Sequence, residues 1–379
     1  MITTAETPMK TLDAEHLSRI ARQQSPCVTI QIPDIRPGAP AGSRLSYLRQ
    51  LTHEASQGLR NLNRSPQVED LVQTLEHLVG MLEKDQGGPG IAVLAAPGWE
   101  AVYQTPGATA ERLTIASRFY ILPLLAAALA PQEFYILGLS KKQVRLWHYS
   151  HGTCEERELP PGVPSDLEAA GGYSPPDHAL KNHSAAGPST GAMRGRRFGT
   201  SSDRDSGGEH EHHFFGSIAK GLRETLDGEP VFLIGVREEL AECRRAMKDL
   251  RVFTAEWHTS PQYCSLAEVR ARACDAAASE YQLAGQHALH SLPEVREKLM
   301  GEPEQILKAA AQARVRCLFV AQGAYTPASP TQSRTYRLYR DEDLLNAAAV
   351  ETLRTGGEVF TIPGEELPGA VPIAAVLRY

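Results

Sequence analysis

Apolar, mostly β-branched residues run from Cys27 to Ile32 and stop at Pro33, which predicts a strand. Pro37, Gly38 and Pro40 then mark a loop. Leu45, Leu48, Leu51 and Leu59 recur near the helical period, with Arg and Glu between them, and predict a helix over 43–62. A second helix starts at Pro66, with Val68, Leu71, Val72, Leu75, Leu78 and Leu82 on its apolar face, and Gly87-Gly88-Pro89-Gly90 breaks it. Short strands come next, near 91–96, 99–105 and 112–118. These parts fit an open mixed sheet carrying two helices, joined to the next section through 127–132.

Residues 134–140 and 143–150 read as two strands joined at Lys141 and Lys142, with a third near 154–159 that ends at Pro160-Pro161. From 160 to 208 the chain is rich in Gly, Pro, Ser, Asp and His and shows little periodicity. A structureless span of that length inside a domain is functional or disordered. A helix from about 210 to 226, a strand at 231–235, a helix at 237–248 and a strand at 252–257 complete an alternating α/β pattern. The remainder reads as a long helix over 265–290, a helix over 303–313, a buried strand at 316–322 and a helix over 341–355. Gly356-Gly357 stops that last helix where glycine is favoured, and strands at 358–362 and 373–379 end the chain. The expected fold is α/β with three domains: 1–131, then 132–260 with the loop 160–208, then 261–379 as an α-β-α sandwich. No internal repeat is present.

The chain has 379 residues, enough for each third to bury a core. Its formal charge of −6 argues against coating by nucleic acid through overall charge, but leaves room for local basic patches. Six cysteines, at 27, 154, 243, 264, 274 and 317, form no Cys-x-x-Cys, as expected of reduced thiols in a cytosolic protein. The first twenty residues are polar and mixed in charge, without a secretory pattern. The longest apolar run, 119–130, contains Pro123 and is shorter than the roughly 20 residues a membrane span needs. The expected location is the cytoplasm, with no membrane role.

Four groups of residues bear on chemistry. Lys181, Arg194, Arg196, Arg197 and Arg204 stand among glycines, serines, His178 and His183, with Asp177, Asp203 and Asp205 offsetting part of the charge. Guanidinium groups grip phosphate bidentately and a Gly/Ser backbone adapts to an RNA surface; the same composition also suits a solvated insertion. Glu209-His210-Glu211-His212-His213 places Glu209 on one helical face with His212 or His213, but no further ligand set accompanies it. The plainer reading is a helix first turn ahead of Phe214-Phe215. Gly171-Gly172-Tyr173 beside Pro175-Pro176 reads as a flexible turn. Cys154 lies near His148 and His151 on one hairpin, where a structural thiol is the simpler reading than a nucleophile. His-Glu-x-x-His and Gly-x-x-x-x-Gly-Lys are both absent. No catalytic residue, metal or cofactor is expected.

The order of parts from 133 to 158, through the polar loop to Phe214-Phe215, resembles the middle domain of the archaeal and eukaryotic peptide-chain release factors and of Pelota. The resemblance extends to Cys27–Pro33 with its succeeding helix, and to Ala309–Ala321, Thr355–Pro363 and Ile373–Tyr379, which are similar to a kink-turn-binding-like third domain. It points to the bacterial branch of that superfamily, which includes the ribosome hibernation factor Balon. It implies a ribosome-associated translation factor of hibernation or rescue type in the acceptor site, with ribosomal RNA, transfer RNA and a translational GTPase as partners. The loop would then supply Lys181, Arg194, Arg196, Arg197 and Arg204 as RNA contacts, with Tyr173, His178 and His183 beside them. The family's releasing Gly-Gly-Gln is missing, as is the Asn-Ile-Lys-Ser loop that reads stop codons. Binding without peptide release is therefore expected. A peptidyl-tRNA esterase or RNA-cleaving enzyme using a non-standard loop stands as one alternative, and a protein-binding module with no ribosomal role as another.

Overall fold

Alternation along Cys27–Ile32 sends Val28, Ile30 and Ile32 to one side, where they meet the leucines of two helices in a common core. That contact organises the first part of the molecule. A computed structural model describes residues 10–23, 26–33, 43–62, 64–82, 90–105, 111–171, 201–291, 299–327 and 342–378, with backbone only for 11, 43, 201–209 and 299. The chain is mixed α/β, with three sheets among the described residues.

The first sheet has the order β1-β4-β3-β2-β5, made of β1 (Lys10–Thr11), β2 (Cys27–Ile32), β3 (Gly90–Ala96), β4 (Trp99–Thr105) and β5 (Arg112–Ala116). Its pairs are antiparallel except β1 with β4. Helices α2 (Ser43–Leu62) and α3 (Pro66–Met81) cover it through Leu48, Leu51, Leu71, Leu75 and Leu78. Ser65 caps α3 by accepting the Val68 N–H, and Pro66 occupies the first turn, where its missing N–H costs nothing. Two short helices are not predicted by the sequence: α1 (Ala14–Ile20), capped by Asp13, and α4 (Leu125–Leu129). Each is too short for a period to show, and tertiary burial of Leu17, Ile20 and Leu125 holds them.

The second sheet has the order β10-β9-β6-β7-β8. Its strands are β6 (Glu133–Ser140), β7 (Gln143–Ser150), β8 (Thr153–Arg157), β9 (Val231–Gly235) and β10 (Val252–His258). Strands β6, β9 and β10 run parallel. The helices of this part are α5 (Leu167–Gly171), α6 (Ser201–Thr225) and α7 (Arg237–Ala246). Phe214, Phe215, Ile218 and Leu222 of α6 fill the core with Leu137, Leu139 and Leu233 of the sheet.

The third sheet is β11-β14-β12-β13, from β11 (Leu299–Met300), β12 (Val315–Ala321), β13 (Glu358–Ile362) and β14 (Ile373–Leu377). Helices α8 (Leu266–His290), α9 (Pro303–Ala311) and α10 (Leu344–Arg354) accompany it. Tyr281 of α8 donates its hydroxyl to the Val359 carbonyl at 3.0 Å, and burial pushes this phenol up to about 12.

The chain divides into two compact units. Met1–Gln132, Ser150–Thr153 and Arg270–Tyr379 form one; Glu133–Tyr149 and Cys154–Val269 form the other. Within the first unit, α10 is buried on nearly every face, including the polar Asn346 and Thr352. It lies against 117–121, the segment after β5. There the Ser117 hydroxyl donates to Glu342 at 2.7 Å, and Arg118 bridges Glu342 and Glu351. A buried carboxylate is tolerated in this place because three donors serve it: the Ser117 N–H, the Ser117 hydroxyl and the Arg118 guanidinium.

Candidate functional site

In the chain the polar span follows α5 and precedes α6, so these two helices, with the β6–β7 turn, form its root. The approach is fixed by backbone bonds. Val144 donates to the Ser165 carbonyl at 2.6 Å, and Leu167 donates to the Lys141 carbonyl at 2.9 Å. Asp166 then caps α5 by accepting the Ala169 N–H at 2.8 Å, and that amide, with the Ser165 hydroxyl, holds its carboxyl below the usual range. Where the approaching chain crosses α6, Gly221 makes room: a Cβ there would sit 2.5 Å from Val163 Cγ2.

Lys141 ties the root together. It lies in the β6–β7 turn, and its Nζ meets Glu211 of α6 at 2.6 Å, both side chains half-exposed. Glu239 of α7 belongs to the same corner. Burial raises its carboxyl above the ordinary value, opposed by the Lys141 backbone amide and charge, and its Oε2 is buried without a hydrogen-bond partner. From the sequence alone, Lys141 is only a turn residue. Its partner Glu211 sits 70 residues later in the chain, where no spacing rule points to it.

Arg204 falls on the backbone of α6, and its side chain lies outside the described residues, as do Tyr173, His178, Lys181, His183, Arg194, Arg196 and Arg197. Helical backbone occupies 167–171 and 201–208, inside the span whose composition reads as loop. The buried half of α6 supplies the reason: once Phe214 to Leu222 anchor a helix, extending it backwards costs far less than nucleating one. Gly207-Gly208-Glu209, a second Gly-Gly pair, lies in that helical backbone.

Gly171 is the last residue of α5; a Cβ on it would come 3.4 Å from His210 Cδ2, and Gly172 and Tyr173 lie outside the described residues. His212 and His213 are exposed. Among the described residues no three His, Cys, Asp or Glu side chains are grouped to hold a metal ion. His148 turns its Nε2 to Glu133 at 3.1 Å and meets the Tyr135 ring at a tilt, and Cys154 is buried. Also among the described residues, no helix is long and apolar enough to cross a membrane.

The chain matches the bacterial archaeo-eukaryotic release factor family 3 over residues 133–314, just under half its length. No curated protein matches it. Among solved structures it is similar to Archaeoglobus fulgidus Pelota, at 13% identity with 98% of this chain and 94% of that one covered and a TM-score of 0.38. A ribosome-bound archaeal Pelota solved with ABCE1 is similar at 12% identity, covering 99% and 97%, with a TM-score of 0.32. An archaeal translation termination factor is similar at 12% identity, covering 97% and 99%, with a TM-score of 0.25. The match at 133–314 spans the second sheet, the loop root and α6, and over those residues this chain is similar to the bacterial branch of the archaeo-eukaryotic release factors.

Proposed function

We propose that this protein is a ribosome-associated translation factor that occupies the acceptor site of resting or stalled ribosomes without releasing the nascent peptide. One observation carries the second half of that reading. Gly171-Gly172, at the start of the polar span, is followed by Tyr173 rather than Gln, and its first glycine closes α5 at the loop root, beside His210. A helix end held at the root is a poor place from which to present a small amide to an ester bond. The family match over 133–314 supports the first half.

Ribosomal RNA and transfer RNA are the partners of this reading, met by Lys181, Arg194, Arg196, Arg197 and Arg204, with Tyr173, His178 and His183 as further loop contacts. A translational GTPase is a further partner, and the cytoplasm the place of action. The test is co-sedimentation of tagged protein with ribosomes through density gradients at two salt concentrations. The protein should run with ribosomes at low salt and be partly stripped at high salt. Protein that stays at the top of both gradients contradicts the proposal.

A further inference from the structure

We propose that the end of the third sheet where β12 begins is a second phosphate-binding surface, built to take consecutive phosphates of an RNA strand. The proposal rests on the functional reading above only for which RNA is met. Five basic side chains gather at this end. Lys308 lies in the last turn of α9, Arg314 and Arg316 lie at the start of β12, Arg354 lies in the last turn of α10, and Arg378 lies just past β14.

Backbone geometry brings them together. The Arg378 N–H donates to the Arg314 carbonyl at 2.8 Å, beside the Val315–Leu377 pair. The Arg378 guanidinium donates to the Thr355 carbonyl at 3.0 Å, which joins it to the end of α10. Arg316 is the extra residue of a β-bulge: Val315 faces Leu377 and Cys317 faces Val376, so Arg316 has no opposite number on β14. A bulge re-aims a side chain, and Arg316 is exposed although β12 is a central strand. Gly356 has a φ of 75°, and at Gly357 a Cβ would lie 2.9 Å from the Val315 carbonyl oxygen. These two glycines let the turn after α10 pack directly on the start of β12, which brings Arg354 and Arg378 to the same end as Arg314 and Arg316.

Of the five, Arg354 is paired internally, and the other four are not. Glu351 is 12% exposed and already holds Arg118 and Arg354. Lys308, Arg314, Arg316 and Arg378 form no ion pair among the described residues, where Glu304, one turn before Lys308, and Glu358 are exposed carboxylates of the same elements. Helix-end electrostatics explains Lys308, Arg354 and the Arg378 contact with Thr355. It does not explain Arg314, or a bulge that turns Arg316 to solvent.

An acidic protein would meet the same charge, but protein interfaces centre on apolar and aromatic side chains. The exposed large apolar residues among those described are Tyr47, Leu62, Val236, Tyr263, Leu266 and Tyr325, and none lies on α9, on α10 or at the start of β12. Four of the five cations are arginine, whose planar fork matches phosphate oxygens.

The test is fluorescence anisotropy of the full chain with a labelled RNA hairpin across a salt series, beside Lys308→Ala/Arg316→Ala, a pair of exposed cations. Loss of two phosphate contacts should weaken binding severalfold at low salt. It should also flatten the log-log salt slope by about 1–2 units, at roughly 0.7–0.9 per phosphate. The same change should appear in a background of Arg194→Ala/Arg196→Ala/Arg197→Ala, and the double variant should unfold like the wild type. Unchanged affinity and slope overturn the proposal. So does labelled polyglutamate that binds as tightly as RNA and is lost in the same variant, which would assign the surface to an acidic protein. Hairpin binding that behaves as expected, in a protein that never co-sediments with ribosomes, keeps this surface and discards the ribosomal role.

Discussion

Asn346 pairs both ends of its amide with one stretch of backbone: its Oδ1 accepts the Ile121 N–H at 2.8 Å, and its Nδ2 donates to the Phe119 carbonyl at 2.9 Å. The residue is buried, and its partners are 225 and 227 positions earlier in the chain. A buried, fully paired amide of this kind fixes which part of α10 faces the segment after β5, because any slip leaves polar groups dry. Asn346→Ala removes both bonds and strands two backbone groups. The expected cost is about 1–3 kcal/mol for such a loss, read as a lower urea midpoint with an unchanged slope. A midpoint equal to the wild type's would mean that water reaches Phe119 and Ile121.

Asp343, in the same buried segment, carries a pH dependence. Its Oδ1 accepts the Thr326 and Leu345 N–H groups at 3.0 Å each, while its Oδ2 is buried without a hydrogen-bond partner. Burial raises this carboxyl above the ordinary aspartate value, with the two backbone bonds and Arg112 opposing. Between the unfolded and the raised folded pKa, the native state binds more protons than the unfolded one. Stability from this group therefore falls as pH rises through that window, and the deficit is complete above it. Asp343→Asn keeps the accepting oxygen of a good helix cap and removes the charge. The variant should melt higher than the wild type at neutral pH, with the gap closing in acid. A variant less stable by the same amount at every pH would show that the carboxylate is fully solvated or paired.

Which of these features the sequence shows depends on how local their cause is. The stripe Val68, Leu71, Val72, Leu75 and Leu78 announces α3 because all five face one core. The strands β6 and β7 stand out because Lys141 and Lys142 interrupt two apolar runs. The stop at Gly356 is legible because a positive φ there favours glycine. In contrast, Ser117, Arg118, Glu342 and Asn346 are individually ordinary and acquire meaning only once the fold brings 117–121 to α10. The same holds at the loop root, where Lys141 and Glu211 form a pair that composition cannot reveal. The beginning of α6 is hidden by glycines and serines whose local preference is overridden by the buried half of the helix.

Gly138 of β6 gives a packing test in the second unit. A Cβ there would lie 2.6 Å from Trp147 Cζ3 and 2.7 Å from Pro261 Cβ. Trp147 is fully buried, so its ring has no free space to retreat into. Gly138→Ala should destabilise by about 1–3 kcal/mol, the usual range for overpacking a filled core. Thermal melts of purified protein measure it, with tryptophan fluorescence reporting the displaced ring. Neutral behaviour would mean that the Trp147 ring moves aside without cost.

The loop arginines are tested by salt rather than by stability. Arg194→Ala/Arg196→Ala/Arg197→Ala removes three cations from the polar loop. If each neutralises about one phosphate, ribosome or transfer-RNA binding should lose about 2–3 units of log-log salt slope, at roughly 0.7 per phosphate for single strands. Identical slopes for variant and wild type would make this loop a solvated insertion with no RNA partner.

The final prediction concerns chemistry. Loaded ribosomes given the purified protein should release no peptide above the uncatalysed background in a single-turnover assay. Release in this family needs a flexible Gly-Gly pair that presents a Gln amide where other nucleophiles are excluded. In this sequence Tyr173 follows Gly171-Gly172, Gly171 ends a helix, and Pro175-Pro176 come next. A side chain acting as general base could in principle stand in for the amide, and an imidazole titrates nearest the working pH. His178 and His183 are the loop residues of that type. His178→Ala and His183→Ala are therefore run beside the wild type. Release by the wild type that disappears in either variant would make this protein an esterase. Equal, background rates in all three are the outcome expected of a factor that binds without acting on the peptide.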